Sequence, residues 1–244
     1  MFFFSNLRSS TKKIMIATVY VSLIVQIITG LVQTHGLTFN FDSDDIILRD
    51  VLILETIVQF IEASFYIYVV YAISSMDMEL VTPHRYFDWV ITTPVMLVST
   101  IMYMEYTKQS ENKSDQEESI DGISFIKNNK ENIGKIIIYN FLMLLFGYLG
   151  ETNVISKYIS NFIGFIFFGL SFHVIYSKYA YTVNTTEINK ILFNLLIVIW
   201  ALYGVAALFP TLYKNVSYNI LDLFSKNFYG LFVYYNILKI KNII

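Results

Sequence analysis

The sequence predicts an all-α chain folded as a bundle of seven membrane-crossing helices. Three observations lead there. Of 244 residues, 55% are hydrophobic and only 15% charged, against about 25% charged in an ordinary soluble domain. Seven stretches stay mainly apolar for about the length a helix needs to cross a bilayer: 14–34, 51–74, 85–106, 134–149, 153–178, 188–209 and 217–239. The ionisable residues inside them are few and recur at helical spacing.

The first stretch has no small-residue cleavage site after it, so it reads as a retained span, not a signal peptide. The second carries Glu55, Gln59 and Glu62, the third Arg85 and Asp88, the seventh Asp222 and Lys226. Most connections are brief. The exception is 107–133, whose polar run Gln109 to Glu118 reads as a solvated loop, on the cytoplasmic side if the N-terminus is outside. No internal repeat or second domain is visible, so residues 1–244 form a single domain. With the N-terminus outside and the C-terminus inside, ten Lys and Arg flank the spans on the cytoplasmic side. Five (Arg8, Lys12, Lys13, Lys157 and Lys214) lie outside. Lys12, Lys13 and the acidic Asp42, Asp44 and Asp45 around the first span argue the other way.

With no cysteine in the chain, disulfides, thiolate metal sites and cysteine nucleophiles are excluded. A net charge of −2 gives no sign of nucleic-acid binding. No metal site and no enzymatic activity are expected. His84 reads as a solvated mouth residue, His35 as a helix end in water, and His173 as a hydrogen-bonded bundle residue. The Asn-x-Ser/Thr triplets at Asn112, Asn184 and Asn215 are short patterns with little weight.

Charges inside a span cost about 2.5–3.5 kcal/mol or more, so each needs a reason. Asp222 and Lys226 are four residues apart and share a helix face. A lone buried lysine loses its proton. Beside carboxylates it stays charged; on an aldehyde cofactor it becomes a protonated imine with carboxylate counterions. A salt bridge holding the bundle together explains the spacing equally well. In the third span Asp88 and Thr92 again share a face, and Pro94 removes a backbone donor whose carbonyl partner nearby Thr hydroxyls commonly serve. Trp89 and Trp200, the only tryptophans, both lie within spans and suggest a slot for a flat conjugated ligand.

Three motifs then fall in helix order: Arg-Tyr-Phe-Asp-Trp-Val-Ile-Thr-Thr-Pro from Arg85 to Pro94, Trp200 with Tyr203, and Asp222 with Lys226. Together they resemble the microbial (type 1) rhodopsins across all seven helices. The resemblance implies all-trans retinal on Lys226, counterions Asp88 and Asp222, Arg85 in the outward network, and a pocket wall of Trp89, Thr93, Met96, Trp200 and Tyr203. Two departures stand out: Gly204 replaces the proline after the family's tyrosine, and Ala207 replaces the next aromatic wall residue.

Outward proton pumps of that family carry a carboxylate where this chain has Ser99, and a serine is no proton reservoir. Efficient pumping is therefore not expected. Glu55, Gln59 and Glu62, at i, i+4 and i+7, form a polar stripe that must face the bundle interior. With Ser22, Asn219 and Asn227 it resembles the polar constrictions of the viral channelrhodopsins, the group 1 viral rhodopsins of giant viruses infecting algae. The resemblance implies a light-gated cation channel for sodium and potassium, in a host-cell or virion membrane. The rivals are a satisfied interhelical network with no ion path, a weak outward proton pump, a sensor read by a cytoplasmic partner, and a retinal-free relative. Lys226 argues against the last. Homo-oligomerisation is left open.

Overall fold

A computed structural model describes residues 2–72, 78–112 and 120–243. The described chain is helical throughout: α1 (Phe2–Gly36), α2 (Ile46–Ala72), α3 (Met78–Asn112), the short α4 (Gly122–Asn128), α5 (Lys130–Glu151), α6 (Lys157–Ile175), α7 (Glu187–Ala206), α8 (Thr211–Asp222) and α9 (Tyr229–Ile240). A π-helical segment, Leu223–Phe228, joins α8 and α9 into one rod. The packing order α1–α2–α3–α5–α6–α7–α8/α9 closes back on α1, so seven rods form a ring.

What the rods bury reveals their solvent. Ser22, Gln26, Thr29 and Gln33 of α1 point inward, while Ile24, Ile28 and Leu31 point out. On α2, Glu55, Gln59 and Glu62 are inside and Ile57, Phe60 and Ile67 outside. An apolar exterior around a partly polar interior suits lipid. Among the described residues five segments, Lys12–Gly36, Leu80–Glu111, Lys130–Glu151, Lys157–Ala180 and Glu187–Ala206, are long and apolar enough to cross a membrane by length and composition. The other two rods, α2 and α8–α9, complete the ring and carry most of its inward charge.

Several expected boundaries move. The first four rods and the seventh are longer than their apolar stretches, because helical hydrogen bonding continues into polar sequence, and the sixth, expected to residue 209, ends at Ala206. The fifth span was expected from residue 153, but α6 starts at Lys157. Asn153 adopts a left-handed conformation (φ 59°) and ends α5, with the Thr152 amide donating to the Tyr148 carbonyl at 2.9 Å. The expected wet loop over 107–133 is only partly a loop. Helix α3 runs to Asn112, the run Lys113 to Glu118 lies outside the described residues, and α4 follows. Helix α4 docks through the buried Phe125 and through the Gly122 amide, which donates to Asp50 Oδ2 at 3.0 Å. Polar neighbours mask this small apolar anchor in any composition average. Asp121 caps α4 by accepting the Ser124 amide at 2.7 Å, and that bond holds its carboxyl below the usual value.

The reading of His173 as a bundle hydrogen-bonding residue also changes: it is exposed on α6. Asn215 is buried and tied to Arg85 and Thr82, which removes it as a glycan acceptor.

At the rim where α5 ends and α8 begins, Lys214 Nζ meets both Glu151 oxygens at 2.5 and 2.6 Å, with the two side chains 5% and 11% exposed. Removing one partner of so buried a pair costs about 3–5 kcal/mol, whereas replacing both with apolar groups is often neutral. Lys214→Met should therefore lower the thermal unfolding midpoint in detergent sharply, and Glu151→Met added to it should restore most of the loss.

Candidate functional site

The π-helical segment explains how one turn presents so much chemistry. In a regular helix three consecutive residues spread over about 200° of the circumference. The wider turn buries Ser225, Lys226 and Asn227 together, as π-bulges often do at functional sites. Asn227 Nδ2 reaches back to the Asp222 carbonyl at 3.5 Å.

Lys226 ends among carboxylates from three rods. Its Nζ is 3.0 Å from Asp88 Oδ2 and 4.0 Å from Asp222 Oδ1, and it forms a close ion pair with Glu62 Oε2. Glu62, expected only on an ion path, is thus also a partner of the amine. Asp222 faces mainly the other way. Its Oδ2 accepts from Arg85 Nη1 at 3.0 Å and from the Tyr66 hydroxyl at 2.7 Å, and its Oδ1 accepts from the Tyr203 hydroxyl at 2.7 Å. Arg85 is fully buried; it also donates to Asn219 and, at 3.3 Å, to Asn215 Oδ1. Its charge is balanced within the same network, as a buried guanidinium requires.

Beside the amine lies a cleft of about 790 Å³, its open mouth included, between α3, α5, α6, α7 and α8–α9. Trp89, Thr93, Met96, Trp200, Tyr203 and Lys226 all line it. The two expected departures line it too. Opposite Gly204 sits the Phe165 ring, so near that a methyl group at 204 would come within 2.5 Å of Phe165 Cζ. Asn161 Nδ2 donates to the Gly204 carbonyl at 2.8 Å. An aromatic from α6 thus fills the flank that α7 leaves open. The Thr hydroxyls near Pro94 bond the Asp88 and Trp89 carbonyls, at 3.0 and 2.7 Å, and not that of Val90, where the missing Pro94 donor would have pointed.

Along α1, α2 and α8–α9 the polar residues form one seam. Ser22 Oγ donates to the Asn219 carbonyl at 3.2 Å, and Asn219 Nδ2 donates to Thr18 Oγ1 at 2.8 Å. Gln59 Nε2 donates to Asn227 Oδ1 at 3.1 Å and lies against Gln26. Glu55 accepts from Ser99. Gln26 Nε2, both polar atoms of Gln33, Glu55 Oε2, Gln59 Oε1 and the Tyr229 hydroxyl are buried without a protein hydrogen-bond partner. Each such group costs about 1–3 kcal/mol unless water or an ion serves it, so the seam offers polar sites to either.

Tyr66, Gln26, Asn215 and Tyr218 escaped the sequence reading, although the signal was present. Tyr66 continues the α2 stripe at i+11 from Glu55, Gln26 follows Ser22 at i+4, and Asn215 precedes Asn219 by four. Tyr218 packs edge-on to Trp89, with ring centroids 5.0 Å apart; nothing in its spacing marks that contact.

Seven membrane rods around a buried lysine–carboxylate cluster, with an aromatic cleft at the amine, define the class of the microbial rhodopsins. A family model described as bacteriorhodopsin-like protein matches residues 10–240, and the chain belongs to that family, whose members bind retinal. Among solved structures the chain is similar to viral rhodopsin OLPVRII, with 28% identity over 93% of this chain and 98% of that one and a TM-score of 0.77. It shares the fold of xanthorhodopsin, described as a light-driven ion pump with dual chromophore (17% identity, 95% and 94% coverage, TM-score 0.71). It shares it also with a rhodopsin of Exiguobacterium sibiricum (18%, 95% and 98%, TM-score 0.71). No curated protein matches its sequence.

Tyr66→Phe removes the hydroxyl shared by Asp222, Asn219 and Arg85. It should cost about 1–3 kcal/mol, the penalty for leaving buried polar groups unserved, read as a lower denaturation midpoint in detergent.

Proposed function

We propose that this chain is a light-gated cation channel, one seven-helix unit with its N-terminus outside, carrying all-trans retinal as a Schiff base on Lys226. The observation that carries the reading is the polar seam on α1, α2 and α8–α9, which passes the amine and includes buried polar atoms that the protein leaves unserved. Family membership supports light-driven ion transport. The lysine at the end of an aromatic cleft fits a flat conjugated aldehyde, and when bound that group supplies the absorption of light.

The chain's own residues do the rest. Trp89 and Trp200, with Thr93, Met96 and Tyr203, line the cleft and would hold the chromophore there. Asp88, 3.0 Å from the amine nitrogen, would be the group to accept a proton from it, and Asp222, fixed by Arg85, Tyr66 and Tyr203, would hold a charge nearby. Cations then follow Ser22, Glu55, Gln59, Glu62, Asn219 and Asn227, whose side-chain oxygens replace part of an ion's water shell, and pass Arg85, whose charge is held by Asp222. Sodium and potassium suit that mix of carboxylates and amides, in the bilayer of a host cell or virion.

A second reading, a weak outward proton pump, gains one specific observation. Ser99 stands at the pumps' donor position and bonds Glu55, so a carboxyl group lies where the third helix lacks one.

Voltage-clamped cells under light decide between them. A channel gives a current that reverses with the cation gradient; a current of one sign at every voltage means pumping and sinks the channel reading. The purified protein should absorb visible light, and Lys226→Ala should lose that band entirely. Asp88→Asn should shift the band to the red, because a counterion is gone, whereas Asn227→Ala should change conductance far more than colour.

A further inference from the structure

Outside the residues so far assigned, one contact is built with unusual specificity. Gln33 of α1 is fully buried, and neither its amide nitrogen nor its oxygen has a protein partner. It lies directly on Gly230, the second residue of α9. A methyl group at 230 would fall 3.0 Å from Gln33 Cδ and collide with Nε2. Glycine inside a helix is unfavourable relative to alanine, so the seat for Gln33 gives this glycine a purpose.

The height of this contact follows from its neighbours. Gln26 meets Gln59, and Gly36 lies against Leu52. Gln33, between them on α1, therefore stands level with Glu55 on α2. Glu55 is two helical turns, about 10 Å, from Glu62 along α2, on the side of Lys226 away from Arg85. An unserved amide and a carboxylate with one unserved oxygen thus flank the seam at one level.

We infer that Gln33, seated on Gly230, forms a second constriction of the ion path and helps select which cations pass. The inference rests on the channel reading proposed above. The amide and the Glu55 carboxyl each offer an oxygen to a dehydrating cation, which favours small monovalent cations over anions. Because the bare backbone of Gly230 is the seat, any side chain there pushes the amide across the path.

Photocurrents of the full-length, retinal-loaded protein test this, normalised to the visible absorbance of the same membranes. Gln33→Ala should raise conductance and move the reversal potential between sodium and potassium solutions. Gly230→Ala should lower conductance. Each change should be on the order of three- to tenfold, the span one hydrogen bond to a permeating ion covers. The absorption maximum should stay put, since neither residue touches the cleft. If the unsubstituted protein conducts and Gln33→Ala alters neither conductance nor reversal potential, the constriction is refuted while the channel reading stands, even should Gly230→Ala fail to fold. If the unsubstituted protein gives no gradient-dependent current, both fall together.

Discussion

Everything in this bundle answers to one constraint: an amine held in the middle of a membrane must have its charge matched close by. Lys226 meets that demand with Asp88, Glu62 and Asp222. Three carboxylates around one amine would be an excess of negative charge. Arg85 offsets one of those charges from the other side of Asp222, and Tyr66, Tyr203, Asn215 and Asn219 supply further hydrogen bonds. Each of the rods that contribute is fixed by what it must bring to that point. This is why α2, α3 and the α8–α9 rod carry the buried ionisable residues around it.

The same constraint divides the interior into two chemistries. On one side of Lys226 the cleft is aromatic and mostly apolar, shaped by Trp89, Trp200, Tyr203 and Phe165. On the other, α1 and α2 contribute amides and carboxyls that the protein leaves partly unserved. On the proposed reading a chromophore belongs in the first and hydrated ions in the second. The amine is where the two touch, so a change of charge there is felt in both.

Much of this was legible in sequence because helical periodicity is strict. Glu55, Gln59 and Glu62 had to share a face, as did Asp222 and Lys226, and the cost of charge in lipid turned those faces inward. The packing between rods was not legible. Spacing along α2 could not say that Glu62 would touch the seventh rod's lysine, or that Glu55 would answer to Ser99. Gly204 read as a gap because its filler, Phe165, comes from another helix. The docking of α4 was hidden because one buried phenylalanine decides it amid polar neighbours, and the true start of α6 turned on the backbone conformation of a single asparagine.

The π-helical segment also divides the last rod mechanically. On one side of it, α8 is pinned to α3 through Arg85 with Asn215 and Asn219. On the other, α9 leans on α1 through Tyr234 with His35, at 2.9 Å, and through the seat under Gln33. A π turn and an α turn differ by one carbonyl in the choice of hydrogen-bond acceptor, so exchanging one for the other swivels the downstream half without unfolding either. Lysine 226 sits at that swivel. The half of the rod that carries the seat of Gln33 is thereby separated from the half that steadies the counterions.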